Sequence, residues 1–345
     1  MDDRYGKLIL TSLRGQPVHV PGVVQPDRIV RKVSEHGLAS LLADVQRRSG
    51  RSILPRLAAR VGALASAHEA AVRHNLEAAR EIAGAFERSR VPVVFVKGAA
   101  LAVSVYERPG LRPFGDLDLL VRPDSVPAAA VALAGARFRP EVDGLPSSME
   151  TAFVRLDDGG LPVGVDLHWD FTEPDRLQAA VRIPVGEILE RRRIVQSLPI
   201  PTPEDSLLLA AANLIRSRVD RMILVVDFAR LAASGPDWDA VVSRAEAWRL
   251  RTALWLGLAL AERHFDAGVP DRVRRALAPA PWRRRWIGSL LSGSALWARR
   301  KIRHRCVAYG LPLLCADSLG DVATALGAGR GRLFTRLGLP FAGGR

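Results

Sequence analysis

The sequence predicts an α+β fold in which a central region of mixed strands and helices lies between two helical regions. Short apolar runs bounded by turn residues are confined to the middle third of the chain, whereas three- and four-residue apolar spacing prevails on both sides. The chain of 345 residues, 48% of them hydrophobic, is long enough for about two domains with cores of their own.

The first segment, residues 1–90, is expected to be helical and to pack on the sheet. Residues 1–30 are interrupted by prolines, so no long element is predicted there. Further on, apolar residues recur at three- and four-residue steps, which predicts one apolar stripe along a long helix. This stripe consists of Val72, Leu76, Ala79, Ile82 and Phe86.

Residues 91–200 are predicted to form the core of the fold. Its first apolar, β-branched run indicates a buried strand, which Lys97 and Gly98 separate from a short helix. Pro123 suits the first turn of a second helix. The predicted strands are 91–96, 117–121, 153–156 and 163–167, the last two joined as a hairpin by a turn at 157–160.

Beyond residue 200 the strand signals mostly stop. Residues 201–270 are predicted to form an all-helical domain, in which Glu204 and Asp205 supply the negative charge that a first helical turn favours. Residues 271–345 follow as a basic tail that is also expected to be helical. The helices predicted for the domain are 206–215, 222–232, 238–249 and 252–265.

Two pairs of polar residues carry the candidate chemistry. Asp116 and Asp118 lie two apart on a predicted strand and so share one face, and Asp166 and His168 repeat this spacing on the hairpin. If the strands are neighbours, three carboxylates converge, and a divalent cation with oxygen ligands would relieve their repulsion. The alternative is solvated strand ends balanced by arginines, with His168 as a hydrogen-bonded core residue.

The turn between the first strand and its helix is a candidate phosphate site. Glycine at Gly98 allows backbone N–H groups to approach a phosphate, and the helix N-terminus adds favourable partial charge. Arg112 could clamp a phosphate oxygen or pair with an acid. Asp227, within a predicted helix, is expected to pair with Arg221 or Arg230 rather than to take part in chemistry.

These residues resemble the DNA polymerase β-like nucleotidyltransferase superfamily. Within it, the chain is similar to an uncharacterised bacterial nucleotidyltransferase family that carries a KGxAL segment before its DxD. The resemblance extends from residue 34 to residue 270. It rests on Lys97-Gly98-Ala99-Ala100-Leu101, Arg112, Gly115-Asp116-Leu117-Asp118 and Asp166-Leu167-His168-Trp169.

The resemblance implies a polymerase β-like core with a mixed sheet and roles for individual residues. Asp116, Asp118 and Asp166 would hold two Mg²⁺ ions, or Mn²⁺, and His168 is a further candidate. Lys97, Gly98, Ala99 and Arg112 would bind the nucleotide, with ATP as the expected NTP. The sequence departs from the superfamily at Ala99, which has no hydroxyl, and in the longer gap between Ala99 and Asp116.

The implied function is metal-dependent transfer of an NMP from an NTP to a hydroxyl of an acceptor, with release of pyrophosphate. The acceptor, a small molecule, peptide or RNA, would lie between the core and the helical domain. The alternative is a non-catalytic nucleic-acid or nucleotide-binding module that uses the basic tail. The absence of a hydroxyl at residue 99 favours this alternative, whereas the presence of all three acids favours the enzyme.

The distribution of charge separates the tail from the rest of the chain. The net charge is +14, and residues 271–345 hold fifteen Lys and Arg against three acids. Basic clusters at 283–285 and 299–301 lie near tryptophans, a pattern that suits nucleic acid or an anionic membrane surface. The remaining interpretation is a helix that packs by its apolar face and keeps its arginines in solvent.

Composition also excludes several classes of protein. Two cysteines cannot form a disulfide framework, and no CxxC pair suggests zinc. The apolar runs are shorter than the roughly 20 residues of a membrane-spanning helix, so no transmembrane segment is expected. Because the N-terminus also lacks the pattern of a signal peptide, the expected location is the cytoplasm.

Overall fold

A five-stranded mixed sheet lies at the centre of the fold. The computed structural model describes residues 3–14, 25–50, 55–141, 149–156, 161–170, 181–291, 310–311, 313–318 and 320–323. The strands of the sheet are β1 Val94–Val96, β2 Asp116–Leu120, β3 Arg139–Pro140, β4 Glu150–Leu156 and β5 Pro162–His168. Their order is β1-β2-β5-β4-β3, in which β2 and β5 are parallel and the other neighbours antiparallel. The predicted α+β fold with a mixed sheet is therefore confirmed.

One face of this sheet is apolar and packs on two helices, α4 (Pro55–Arg88) and α6 (Val126–Gly135). Side chains alternate between the two faces of a strand, so the odd-numbered residues of β1, β2 and β5 point to this side. The predicted stripe on α4 packs here, as expected, against Phe95, Leu117 and Leu167 among others. The even-numbered residues, including the acids, point to the opposite face.

Three helices precede α4: α1 (Asp3–Leu13), α2 (Pro26–Glu35) and α3 (Ala39–Ser49). The prediction that residues 1–30 hold no long element was wrong for α1, because all its residues precede the first proline. Tyr5, Leu8 and Ile9 are buried on one side of α1. Their three- and four-residue spacing is the signal that could have revealed this helix.

The four helices predicted for residues 201–270 are present: α8 (Pro203–Arg216), α9 (Met222–Ala233), α10 (Trp238–Ala247) and α11 (Arg251–Phe265). Thr202 caps α8, where its side chain accepts a hydrogen bond from the backbone N–H of Asp205 at 3.3 Å. Helices α9 and α11 approach closely at Gly257, where a Cβ atom would lie 2.3 Å from Cζ of Phe228. Close helix packing therefore requires glycine at that position.

A helix and a small hairpin join the sheet to α8, and the sequence did not predict them. They are α7 (Val185–Arg191), β6 (Arg193–Val195) and β7 (Leu198–Ile200). The two residues of the hairpin turn, Gln196 and Ser197, have φ values of 49° and 68°. Such turns usually carry glycine or asparagine, so this one has no sequence signature.

The described part of the basic tail is helical and belongs to a larger core. It contains α12 (Asp271–Leu277) and α13 (Pro281–Leu290), whose apolar residues join one buried cluster with α1–α3 and α8–α11. The N-terminal helices therefore pack on the C-terminal ones: His36 accepts hydrogen bonds from the backbone N–H groups of Met222 at Nδ1 and of Ile223 at its carbonyl oxygen. The basic cluster 299–301 and the hairpin turn 157–160 lie outside the described residues.

Among the residues that the structure describes, none of the helices is both long and apolar enough to cross a membrane.

Candidate active site

The acidic residues of the two strands meet on the polar face of the sheet. Asp118 of β2 is the register partner of Asp166 on the parallel strand β5. One ligand atom each from Asp118, Asp166 and His168 lies within 4.8 Å of the others, which makes a group able to hold a metal ion. Asp116 lies two residues before Asp118, at the start of β2, outside this group. The compact group thus contains two carboxylates and an imidazole, where the sequence predicted three carboxylates.

His168 is buried between two carboxylates. Its Nε2 lies 3.0 Å from Oδ1 of Asp118, and its Nδ1 lies 3.0 Å from Oε2 of Glu150. Arg216 of α8 donates to the same oxygen of Glu150 at 3.1 Å. Burial acts to lower the pKa of His168, but the hydrogen bonds to Asp118 and Glu150 raise it above its ordinary value. Neither Glu150 nor Arg216 was predicted from the sequence.

Glu150 is strongly held in its ionised form. The hydrogen bond from His168, followed by the charge of Arg216, lowers the pKa of Glu150 to about 2, although partial burial opposes this shift. A carboxylate at this position accepts a hydrogen bond, so the Nδ1 atom of His168 carries the proton. Glu150 therefore fixes the orientation of the imidazole ring and directs Nε2 towards Asp118.

The three acids differ in how easily they ionise. Burial, together with the neighbouring Asp118 carboxylate, raises the pKa of Asp116 and of Asp166. Burial also opposes ionisation of Asp118, but the hydrogen bond from His168 and the charge of Lys97 outweigh it and lower its pKa. Closely spaced carboxylates beside an imidazole nitrogen suit a divalent cation. The cation would relieve the repulsion between the carboxylates and would be coordinated by all of these groups.

Lys97 lies at the junction of β1 and helix α5 (Lys97–Ser104). Its Nζ forms an ion pair with Oδ1 of Asp118 and lies 3.4 Å from Nε2 of His168. Its backbone has a φ of 51°, in the left-handed region that is unfavourable for a residue with a side chain. Such backbone strain often marks functional sites. The ammonium group is therefore part of the acidic cluster, with only 17% of the side chain exposed.

The next residue, Gly98, is in close contact with the segment before β2. A Cβ atom at this position would lie 2.4 Å from Cβ of Phe114. Ala99 is completely buried in the core of the sheet and α4. Close packing by Phe114 therefore provides a reason for glycine here in addition to the predicted approach of a phosphate.

We expect Gly98→Ala to destabilise the protein by about 1–3 kcal/mol, because Cβ of Phe114 cannot move without its backbone. Urea unfolding at equilibrium measures this effect. Gly62→Ala is the matched control: Gly62 lies in helix α4 with no atom within 4 Å of its added Cβ, so alanine should stabilise it by about 0.5–1 kcal/mol. Equal unfolding free energies for the two variants would contradict the packing argument.

Arg112 lies deeper in the fold and pairs with an acid, the second of the two roles expected for it. Its Nε and Nη2 donate to the two oxygens of Asp227 at 2.9 and 2.8 Å, and Tyr106 donates to the same carboxylate at 2.7 Å. The prediction that Asp227 pairs with Arg221 or Arg230 was wrong. Asp227 faces the buried interior of the fold, where partners come from other elements.

A small cavity of about 20 Å³, room for a single water molecule, lies beside this ion pair. It is lined by Lys97 of the acidic cluster, by Arg112 and Asp227, and by Ser206 and Asn213 of α8. Its polar groups therefore come from the sheet region and from the C-terminal helices.

The comparisons with known proteins place this site in a family. The chain has no match among curated proteins. A solved structure, that of JHP933 from Helicobacter pylori, is similar at 10% identity and a TM-score of 0.28, over 64% of this chain and 97% of that one. A family profile described as "Uncharacterised nucleotidyltransferase" matches residues 23–266, which include all the acids of the cluster. The chain therefore belongs to this family of uncharacterised nucleotidyltransferases.

Proposed function

We propose that the protein transfers an NMP from an NTP to a hydroxyl group of an acceptor, with release of pyrophosphate. The observation that supports this most directly is the group formed by Asp118, Asp166 and His168 in a chain of this family. In the reaction the acceptor oxygen forms a bond to the α-phosphorus, and the bond from that phosphorus to the bridging oxygen of pyrophosphate breaks. A cytoplasmic location agrees with the use of an NTP.

The metal would be held on the polar face of the sheet. Asp118 and Asp166 are the proposed carboxylate ligands, with His168 beside them and Asp116 as the ligand of a second ion. A bound Mg²⁺ or Mn²⁺ supplies positive charge to the phosphates of the nucleotide. Asp166 is also the candidate group for accepting the acceptor's proton, because its carboxylate lies beside Asp118 across the two parallel strands.

The triphosphate is proposed to bind at the N-terminus of helix α5. Lys97 would contact a phosphate oxygen, and the backbone N–H groups of Gly98 and Ala99 begin the helix, where partial positive charge favours anions. Arg112 would act indirectly, because its guanidinium donates to the carbonyl oxygen of Pro113 at 2.7 Å and so supports the segment before β2.

A transfer assay tests this proposal. Each of the four NTPs, labelled at the α-phosphorus and beginning with ATP, is offered with Mg²⁺ or Mn²⁺ and with RNA, peptide and small hydroxyl-bearing acceptors. We expect metal-dependent transfer of label to one acceptor class. The absence of both transfer and metal-dependent NTP binding, with a folded protein, would contradict the proposal.

The surface of α13 supports a second candidate function, that of a module which binds nucleic acid. Ile287 on one side of the helix is buried, whereas Trp282 and Trp286 are 57% and 61% exposed. Arg284 and Arg285 are exposed beside them. Exposed tryptophan and arginine can stack on bases and contact phosphates. The same surface could hold an RNA acceptor, so the two functions are compatible.

We expect the double change Arg284→Glu and Arg285→Glu to weaken binding of single-stranded RNA and to reduce its dependence on salt. Removal of about two phosphate contacts would lower the slope of log K against log salt by about 1.4. Fluorescence anisotropy over a salt series measures this slope. The control, Arg73→Glu with Arg80→Glu, makes the same charge change on the exposed side of α4. Equal loss of binding in both variants would indicate a general charge effect and contradict a site on α13.

A further inference from the structure

The ammonium group of Lys97 contacts the same atoms that a metal ion would require. Its Nζ forms an ion pair with Oδ1 of Asp118 and lies 3.4 Å from Nε2 of His168. Asp118 and His168 contribute two of the three ligand atoms of the candidate metal group. A lysine and a divalent cation therefore compete for Oδ1 of Asp118 and for the space beside Nε2 of His168.

Simultaneous binding of both cations at these atoms is unfavourable. A metal ion coordinated by Oδ1 and Nε2 would lie within a few ångströms of an ammonium group paired with Oδ1, so the two positive charges would repel strongly. A metal that takes its full set of ligands must displace the ammonium group.

The surrounding structure holds the imidazole ring of His168, whereas Lys97 carries its charge at the end of a flexible side chain. On the far side, Glu150 and Arg216 hold the imidazole ring, so His168 cannot turn away. Lys97 instead has a flexible four-carbon stem that begins at the first residue of α5. A displaced ammonium group would therefore remain beside the N-terminus of this helix, where the triphosphate is proposed to bind.

We propose that Lys97 is an internal competitor of the metal ion. In this proposal, which rests on the metal site of the proposed function, a divalent cation displaces the ammonium group from Asp118 and His168. The displaced ammonium group of Lys97 then contacts the phosphates of the nucleotide. Lys97 thus lowers the affinity for metal without nucleotide and favours binding of the two together. An ordinary phosphate-binding lysine would leave the affinity for metal alone unchanged.

The test measures Mn²⁺ binding to the full-length protein in the absence of nucleotide, by calorimetry and by electron paramagnetic resonance. At about pH 8, where carboxyl groups are ionised, we expect Lys97→Met to bind Mn²⁺ about tenfold more tightly than the unchanged protein. Lys97→Arg, which keeps the charge, should not show this gain. Lys7→Met is the control, because Lys7 is an exposed residue of α1.

The remaining outcomes are distinguishable. Unchanged or weaker Mn²⁺ binding by Lys97→Met would overturn the competition while leaving the transferase proposal intact. If Lys97→Met does not fold, as judged by its thermal melt, Lys97→Gln provides the same test with a polar side chain. Failure of every variant to bind Mn²⁺ would contradict the metal site itself, and with it the metal dependence of the proposed function.

Discussion

Asp118→Asn is expected to reduce NMP transfer by about 10³-fold or more. Asp118 is the acid that contacts both Lys97 and His168, and it lies beside Asp166 in the sheet. Asparagine keeps the shape of the side chain but removes its charge. Single-turnover transfer of α-labelled NMP, at saturating metal and NTP, measures the chemical step directly.

The control for this change is Asp124→Asn, which removes an equal charge from an exposed residue just beyond β2. Its transfer rate should match that of the unchanged protein. Circular dichroism and a thermal melt must show that Asp118→Asn is folded, because the change leaves Lys97 without its carboxylate partner. Transfer at more than a tenth of the normal rate by a folded Asp118→Asn protein would refute the assignment of this acid to the metal.

Asp227→Ala is expected to lower the free energy of unfolding by about 3–5 kcal/mol, the largest effect on stability. Asp227 and Arg112 are both buried, and removal of the carboxylate leaves a guanidinium group without its counter-ion in the interior. Tyr106 loses its hydrogen-bond acceptor as well. Equilibrium unfolding in urea, with the midpoint and slope fitted separately, measures the change.

An exposed ion pair provides the matched control. Asp239 pairs with Arg272 at the surface, where the two side chains are 78% and 63% exposed, so Asp239→Ala should cost less than about 1 kcal/mol. Replacing both partners of the buried pair, with Arg112→Met and Asp227→Leu, should recover part of the loss, because no charge is then left unpaired. A loss for Asp227→Ala no greater than that for Asp239→Ala would contradict this account.

The convergence of Asp118 and Asp166 could be predicted because it needs only strand periodicity and one assumption, that the two strands are neighbours. The helices after residue 200 were also predictable, since their caps and apolar spacing are local. Glu150 was missed because the predicted strand began at residue 153. The segment before it, Glu150-Thr151-Ala152, does not show the alternation of apolar and polar residues that is typical of a strand. Since Leu156 pairs with Pro162, counting back along the hairpin would have placed Glu150 opposite His168.

Other parts of the site have no local signal at all. Arg112 and Asp227 are 115 positions apart. Helical spacing can suggest ion-pair partners for Asp227 only among residues close to it in sequence, so it could not identify Arg112. Arg216 reaches Glu150 from a different part of the fold. The left-handed backbone at Lys97 is equally hidden, because glycine is the residue that normally marks such a conformation. These features depend on tertiary contacts and can be seen only in the folded chain.

The buried cluster that joins α1–α3 to α8–α13 has a consequence for how the protein folds. His36 contacts Met222 across 186 positions, so one half of this cluster is synthesised long before the other. Contacts between distant segments slow folding, because a long loop must close before they form. The apolar surface of α1–α3 that packs on the C-terminal helices therefore stays exposed until the second half of the chain is synthesised, and such surface favours chaperone binding.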